Sequence, residues 1–196
     1  MTAETSAAHD DDLMTIEEFL AFTEARPEGE KWELIEGVPV MSPSPTDVHQ
    51  VIVGNIIGAL WQASAAAGAS WLVMPGTGTR VPASSRSLPE PDVFVKERPP
   101  IGSPVSDEAL VIIEVLSRSN RPADRAWRRR VYASVPNCRH YVTVSARGIE
   151  VVAHHRAEEW QERPMHAIAD VLELPAIGAT LPLATIYRAI PFAERV

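Results

Sequence analysis

The chain has 196 residues, of which 45% are apolar and 22% charged, and its formal net charge is −8. That length supports one sizeable core more readily than two small ones. A globally acidic chain gains little from non-specific attraction to phosphate, so any nucleic-acid contact must rest on a local basic face.

The charge is unevenly spread. Residues 1–36 hold eleven acids against Arg26 and Lys31, whereas residues 118–139 hold seven arginines against Asp124. The arginine segment is therefore the candidate basic face. Cys138 stands alone, which excludes an intramolecular disulfide and any CxxC metal or redox motif and fits a reducing cytoplasm. No signal-peptide pattern opens the chain, and no run reads as long and apolar enough to span a bilayer, so no membrane partner is expected.

In chain order, residues 1–12 carry few apolar groups and are expected to form a disordered tail, with 13–196 as a single domain. Thr15 and Glu18 have capping-box spacing ahead of Ile16, Phe19 and Leu20, which predicts a short helix. Trp32–Ile35 and Val38–Met41 flank Glu36-Gly37 and predict a hairpin. Its alternation puts Glu33 on the face opposite Trp32 and Leu34. After the stiff Ser42-Pro43-Ser44-Pro45, apolar residues at helical period from Val48 to Ala63 predict a long helix, capped by Thr46 or Asp47 and ended by Gly68. His49 falls in its first turn, where a capping or surface role and a substrate contact are the two readings.

Two short β-branched runs follow, Pro91 to Val95 and Ala109 to Leu116, each with one carboxylate, Asp92 and Glu114. A carboxylate on a buried strand is costly to desolvate unless it is paired or holds a cation, so this pair suggests a hard-metal site. Lys96 shares the Asp92 face at period two but reads as an exposed lysine leaving the sheet. Pro122 opens a helix through Ser134, with Trp127 and Val131 inward and Arg125 and Arg129 outward as candidate nucleic-acid contacts. Asp124 and Arg128 lie one turn apart and can pair. The remainder reads as a hairpin around Ser145–Gly148, an extended piece near Trp160–Pro164 and a short terminal helix. Adjacent His154 and His155 point to opposite strand faces and read as solvated.

The order Trp32-Glu33-Leu34-Ile35-Glu36-Gly37, Met41-Ser42-Pro43-Ser44-Pro45, His49-Gln50, Pro91-Asp92, Glu114-Val115-Leu116-Ser117, Asp124-Arg125 and Tyr132 resembles the Uma-type restriction endonuclease family of the PD-(D/E)XK nuclease superfamily. The resemblance covers roughly residues 13–190. It implies an α/β restriction-endonuclease-like fold: a mixed sheet with the Asp92 and Glu114 strands adjacent, flanked by helices, with hairpins at both ends. It also implies DNA as substrate and Mg²⁺ or Mn²⁺ held by Asp92 and Glu114, with Glu33 as a further site carboxylate. Arg128 stands where the family usually has lysine. An arginine supplies charge but cannot act as a base, so an inactive nuclease-fold module, binding nucleic acid or forming a homodimer or other protein contact, remains the alternative.

Overall fold

The computed structural model describes residues 13–97, 102–117 and 122–192. The expected tail at 1–12 and parts of the loops after Glu97 and Ser117 lie outside them. The chain runs through α1 (Ile16–Glu24), β1 (Trp32–Ile35), β2 (Val38–Met41), α2 (Asp47–Ala67), β3 (Trp71–Pro75), β4 (Gly78–Thr79), β5 (Val93–Glu97), β6 (Val105–Ser106) and β7 (Val111–Leu116). It continues through α3 (Pro122–Ala133), β8 (His140–Ser145), β9 (Val151–His155), β10 (Glu162–Met165), β11 (Val171–Leu174), β12 (Ala179–Pro182) and α4 (Leu183–Ile186).

The central sheet has six strands in the order β10-β9-β8-β7-β5-β3. Only β7 and β8 pair in parallel within it, joined by the crossover helix α3; the other neighbours are antiparallel. The expected mixed α/β sheet is present, and the Asp92 and Glu114 strands are neighbours, with Val93 opposite Ile113.

Period-two alternation decides which helix each strand residue meets. Val93, Val95, Ile113, Val115, Val142 and Val144 pack with Ile52, Ile56 and Leu60 of α2. Phe94, Ile112 and Tyr141 pack with Val131 and Tyr132 of α3 on the other face. Glu114 shares the parity of Ile112, so it falls on the α3 side. The helix α2 is long and apolar enough by composition to cross a membrane, contrary to the expectation that no run is; the burial of Ile52, Val53, Ile56 and Leu60 against the sheet accounts for that character.

Local signals set the boundaries. Thr15 and Glu18 form the reciprocal capping box of α1, and Thr46 Oγ1 accepts the His49 N–H while Gly68, at φ 57°, ends α2 in the left-handed conformation. Glu36 and Gly37 both take positive φ at the β1–β2 turn, as a two-residue primed turn requires. A Cβ on Gly37 would also lie 2.7 Å from that of Leu13.

Three expectations need correction. Lys96 is buried at 9% exposure, because β5 is an interior strand between β3 and β7. His154 and His155 are likewise buried: His154 stacks on Tyr141, and His155 Nδ1 lies 2.7 Å from His140 Nδ1. The Ala176 N–H donates to His140 Nε2, so His140 must carry its proton on Nδ1 and give it to His155. The hairpin β11–β12 adds to the expected elements; with α4 it packs against α2, where Asn55 donates to the carbonyls of Ile186 and Arg188.

Candidate active site

Four elements converge on one cavity of about 760 Å³, whose lining includes Lys31, Glu33, His49, Glu90, Asp92, Glu114 and Arg128. Glu33 comes from β1, whose partner face sends Leu34 into the α1 cluster with Ile16, Phe19 and Leu88. A pair of backbone bonds between Leu34 and Leu88 docks the hairpin there. His49 comes from the first turn of α2. Asp92 immediately precedes β5 rather than lying within it, and at that bend its carboxylate reaches across the sheet edge to accept the Val115 N–H at 2.8 Å. Gly76, at the end of β3, makes room for this turn, since a Cβ there would sit 2.0 Å from the Pro91 carbonyl.

Arg128 is the organising cation. Its Nη2 donates to Glu33 Oε2 at 2.6 Å, and its Nη1 donates to Glu33 Oε1 at 3.0 Å and to Glu114 Oε1 at 2.9 Å. Tyr132, one turn further along α3, donates its hydroxyl to the same Glu114 oxygen at 3.0 Å. The expected pairing of Arg128 with Asp124 gives way to these contacts, because a bidentate fork on a buried carboxylate is stronger than a helix-surface pair.

Asp92 is held differently. His49 Nε2 lies 3.3 Å from Asp92 Oδ2, and Lys31 Nζ lies 3.7 Å from Asp92 Oδ1 and 3.5 Å from Glu90 Oε1. Glu90 also donates its backbone N–H to Glu33. His49 Nδ1 is buried without a hydrogen-bond partner among the described residues, so Nε2 is the nitrogen committed to Asp92. That geometry ties His49 to the Asp92 carboxylate within the cavity lining.

The environment separates the two strand acids. Burial pushes Asp92 up, but the His49 hydrogen bond and the charges of His49 and Lys31, with the Val115 N–H, outweigh it and hold Asp92 below the usual carboxylate range. Burial pushes Glu114 up to about 7 despite Arg128, with the negative charges of Asp92 and Glu33 adding to the rise. Burial works against the charge on Lys31, yet the surrounding carboxylates raise it overall, so it stays protonated. Four carboxylates, Glu33, Glu90, Asp92 and Glu114, face three basic side chains, Lys31, His49 and Arg128, so acids outnumber bases in these contacts.

The profile of the Uma2 family, described as "Putative restriction endonuclease", matches residues 16–184. The chain belongs to the Uma2 family. The match spans the Glu33, Asp92, Glu114 and Arg128 positions alike. This Uma2 chain is 33% identical over 84 residues to an uncharacterised protein of Synechocystis, a stretch covering 42% of the chain and 44% of that relative's length. Its fold is similar to the crystal structure of a protein described as a "putative nuclease belonging to DUF820" from Anabaena variabilis, with a TM-score of 0.71. That likeness covers 89% of this chain and 97% of the other at 13% identity.

The structure thus gathers Glu33, His49, Asp92, Glu114 and Arg128, and leaves Arg125 and Arg129 outside the cavity lining. Arg129 pairs with Glu162 of β10 at 2.9 Å, a partner invisible in the helical pattern. Sequence reasoning missed Lys31 and Glu90. The available signal is their position: Glu90 lies two residues before Asp92, and Lys31 immediately before the β1 run.

Proposed function

We propose that this Uma2 protein hydrolyses phosphodiester bonds of DNA with a divalent cation, Mg²⁺ or Mn²⁺, held by Asp92 and Glu114. The observation that carries the reading is the gathering of carboxylates in the cavity: among the groups in these contacts they outnumber the basic side chains, and burial, with Asp92 and Glu33 adding to it, pushes Glu114 up to about 7, which an added cation would relieve. The donor set fits a hard ion. Among the described residues no group of three or more His, Cys, Asp and Glu side chains converges as a metal cluster. That is short of what a zinc site needs, but it suits Mg²⁺, which takes one or two carboxylates and keeps its waters.

A bound cation would polarise the phosphoryl oxygen and acidify the attacking water. The chain's own residues do the rest. His49 and the Val115 N–H fix the Asp92 carboxylate in its ionised form. Lys31, with 36% of its side chain exposed, places a positive charge at the cavity mouth where a phosphate would enter. Arg128 and Tyr132 hold one oxygen of Glu114 and leave the other for the ion. Arg128 itself is committed to Glu33 and Glu114, so it acts as a positioning residue and not as the amine that the family's lysine provides.

That commitment favours a second reading, in which Arg128 has taken over the role of the cation and the fold serves in nucleic-acid or protein binding without catalysis. Isothermal titration with Mn²⁺ and Mg²⁺, alongside cleavage assays on supercoiled and single-stranded DNA, separates the two. The nuclease reading expects metal binding and cleavage, both lost in Asp92→Ala. Absence of metal binding by the natural protein leaves the non-catalytic reading.

A further inference from the structure

Beside the carboxylate cavity lies a second, smaller one of about 130 Å³, lined by Ser117, Arg125, Thr143, Ser145, Arg147 and Glu150. It sits at the C-terminal ends of the parallel pair β7 and β8, where Leu116 is opposite Ser145 and the Ala146 N–H donates to the Leu116 carbonyl. Arg147 rides on the tight turn after β8, its own N–H bonded to Ser145 Oγ, and Arg125 rises from the first turns of α3. Both cavities include Ser117 and Arg147 in their walls, so the two are neighbours.

The two arginines are unlike their neighbours in α3. Arg128 is consumed by Glu33 and Glu114, Arg129 by Glu162, and Arg130 lies 4.0 Å from Glu36. Neither Arg125 nor Arg147 forms an ion pair among the described residues, although Glu150 lines the same pocket. In a chain of net charge −8, two exposed guanidiniums facing one polar pocket without a carboxylate partner form a local positive site. Their planar forks, with nearby hydroxyls of Ser145 and Thr143, match the tetrahedral oxygens of a phosphate.

We propose that Arg125 and Arg147 form a subsite for one backbone phosphate of a nucleic-acid strand whose reacting phosphate lies at Asp92 and Glu114. This rests on the nuclease reading above for the second half of the statement, not for the site itself. The two sites are neighbours along the chain: Glu114 and Ser117 are three residues apart, roughly 10 Å of extended chain at ~3.3 Å each, and Ser117 and Arg147 line both cavities. The subsite fixes the strand's register without reading base sequence, as phosphate contacts do.

The test measures binding of a short DNA duplex in EDTA over a range of KCl concentration, for the natural protein, the Arg125→Ala/Arg147→Ala double variant and Arg129→Ala. Each phosphate contact contributes about 0.9 to the slope of log affinity against log salt. The double variant is expected to flatten the slope by about two contacts' worth, and Arg129→Ala to leave it unchanged because Glu162 already holds that charge. Glu150→Gln is expected to tighten binding. A slope unaffected by the double substitution overturns the proposal, whatever the cleavage result. Should the natural protein bind no duplex in EDTA, inorganic phosphate alone decides the subsite, and the nuclease reading is judged separately by the metal-binding and cleavage assays above. Shifts of the Arg125 and Arg147 side-chain N–H resonances in an NMR titration sustain the site, and their absence overturns it. Circular dichroism melts of all variants check that these exposed substitutions leave the fold intact.

Discussion

Removing the Arg128 guanidinium is the sharpest perturbation of the carboxylate cluster. Glu33 and Glu114 have side chains only 5% and 7% exposed, and both bond directly to Arg128. In Arg128→Ala they remain buried without that counter-charge, a situation that costs about 3–5 kcal/mol. Against a total stability of about 5–15 kcal/mol that loss is large. Glu114 already sits at about 7 and would protonate more readily without the arginine, so the cost should shrink in acid. Urea unfolding at about pH 8 and about pH 5.5 measures this as the change in midpoint at constant m-value. Arg128→Lys should fall between, at about 1–3 kcal/mol, because one ammonium cannot reproduce a bidentate fork on Glu33 and a third bond to Glu114. A loss below about 1 kcal/mol at pH 8 for the alanine variant, or an equal loss at both pH values, would refute the counter-ion argument.

Other outcomes follow from the same geometry. Glu114 has its folded value raised from 4.5 to about 7, so the stability it contributes is full below 4.5 and lost as pH rises through 7. Glu114→Gln should flatten that window and stabilise the protein above it by up to about 3 kcal/mol, at ~1.4 kcal/mol per tenfold change in proton affinity; pH-dependent chemical denaturation reads this. Asp92 is lowered, so its contribution is present above the normal aspartate range and fades as pH falls through its folded value; Asp92→Asn should remove that acid-side dependence together with Mn²⁺ binding. Gly76→Ala should push the Pro91–Asp92 backbone away from β3, lowering both melting temperature and metal affinity. Arg156 donates to the carbonyls of Ala133, Val135 and Cys138 just past the end of α3, and Arg156→Met should cost about 2–4 kcal/mol in urea unfolding, since bonds from a charged donor are the stronger kind.

Local patterns that the chain cannot evade are legible in the sequence itself. The Thr15–Glu18 capping box, the Thr46 cap, the Gly68 stop and the Glu36-Gly37 turn all depend on residues a few positions apart, and each appears where its spacing places it. The β-branched runs around Asp92 and Glu114 likewise declare themselves as buried neighbours, because a six-stranded sheet covered on both faces needs such segments. Partnerships between residues far apart are what the sequence leaves open. Arg128 could face Asp124 four residues away, and only the docking of β1 against Leu88 brings Glu33 within 2.6 Å of it. Lys31 and Glu90 have no local mark of function, and their role arises when two loops meet at Asp92. His154, His155 and Lys96 read as exposed because polarity is the available guide, yet β9 and β5 are interior strands. Helical and strand periods assign a residue to a face; which charge waits across that face is decided by packing, because Coulomb energies depend on distances that close only in the folded chain.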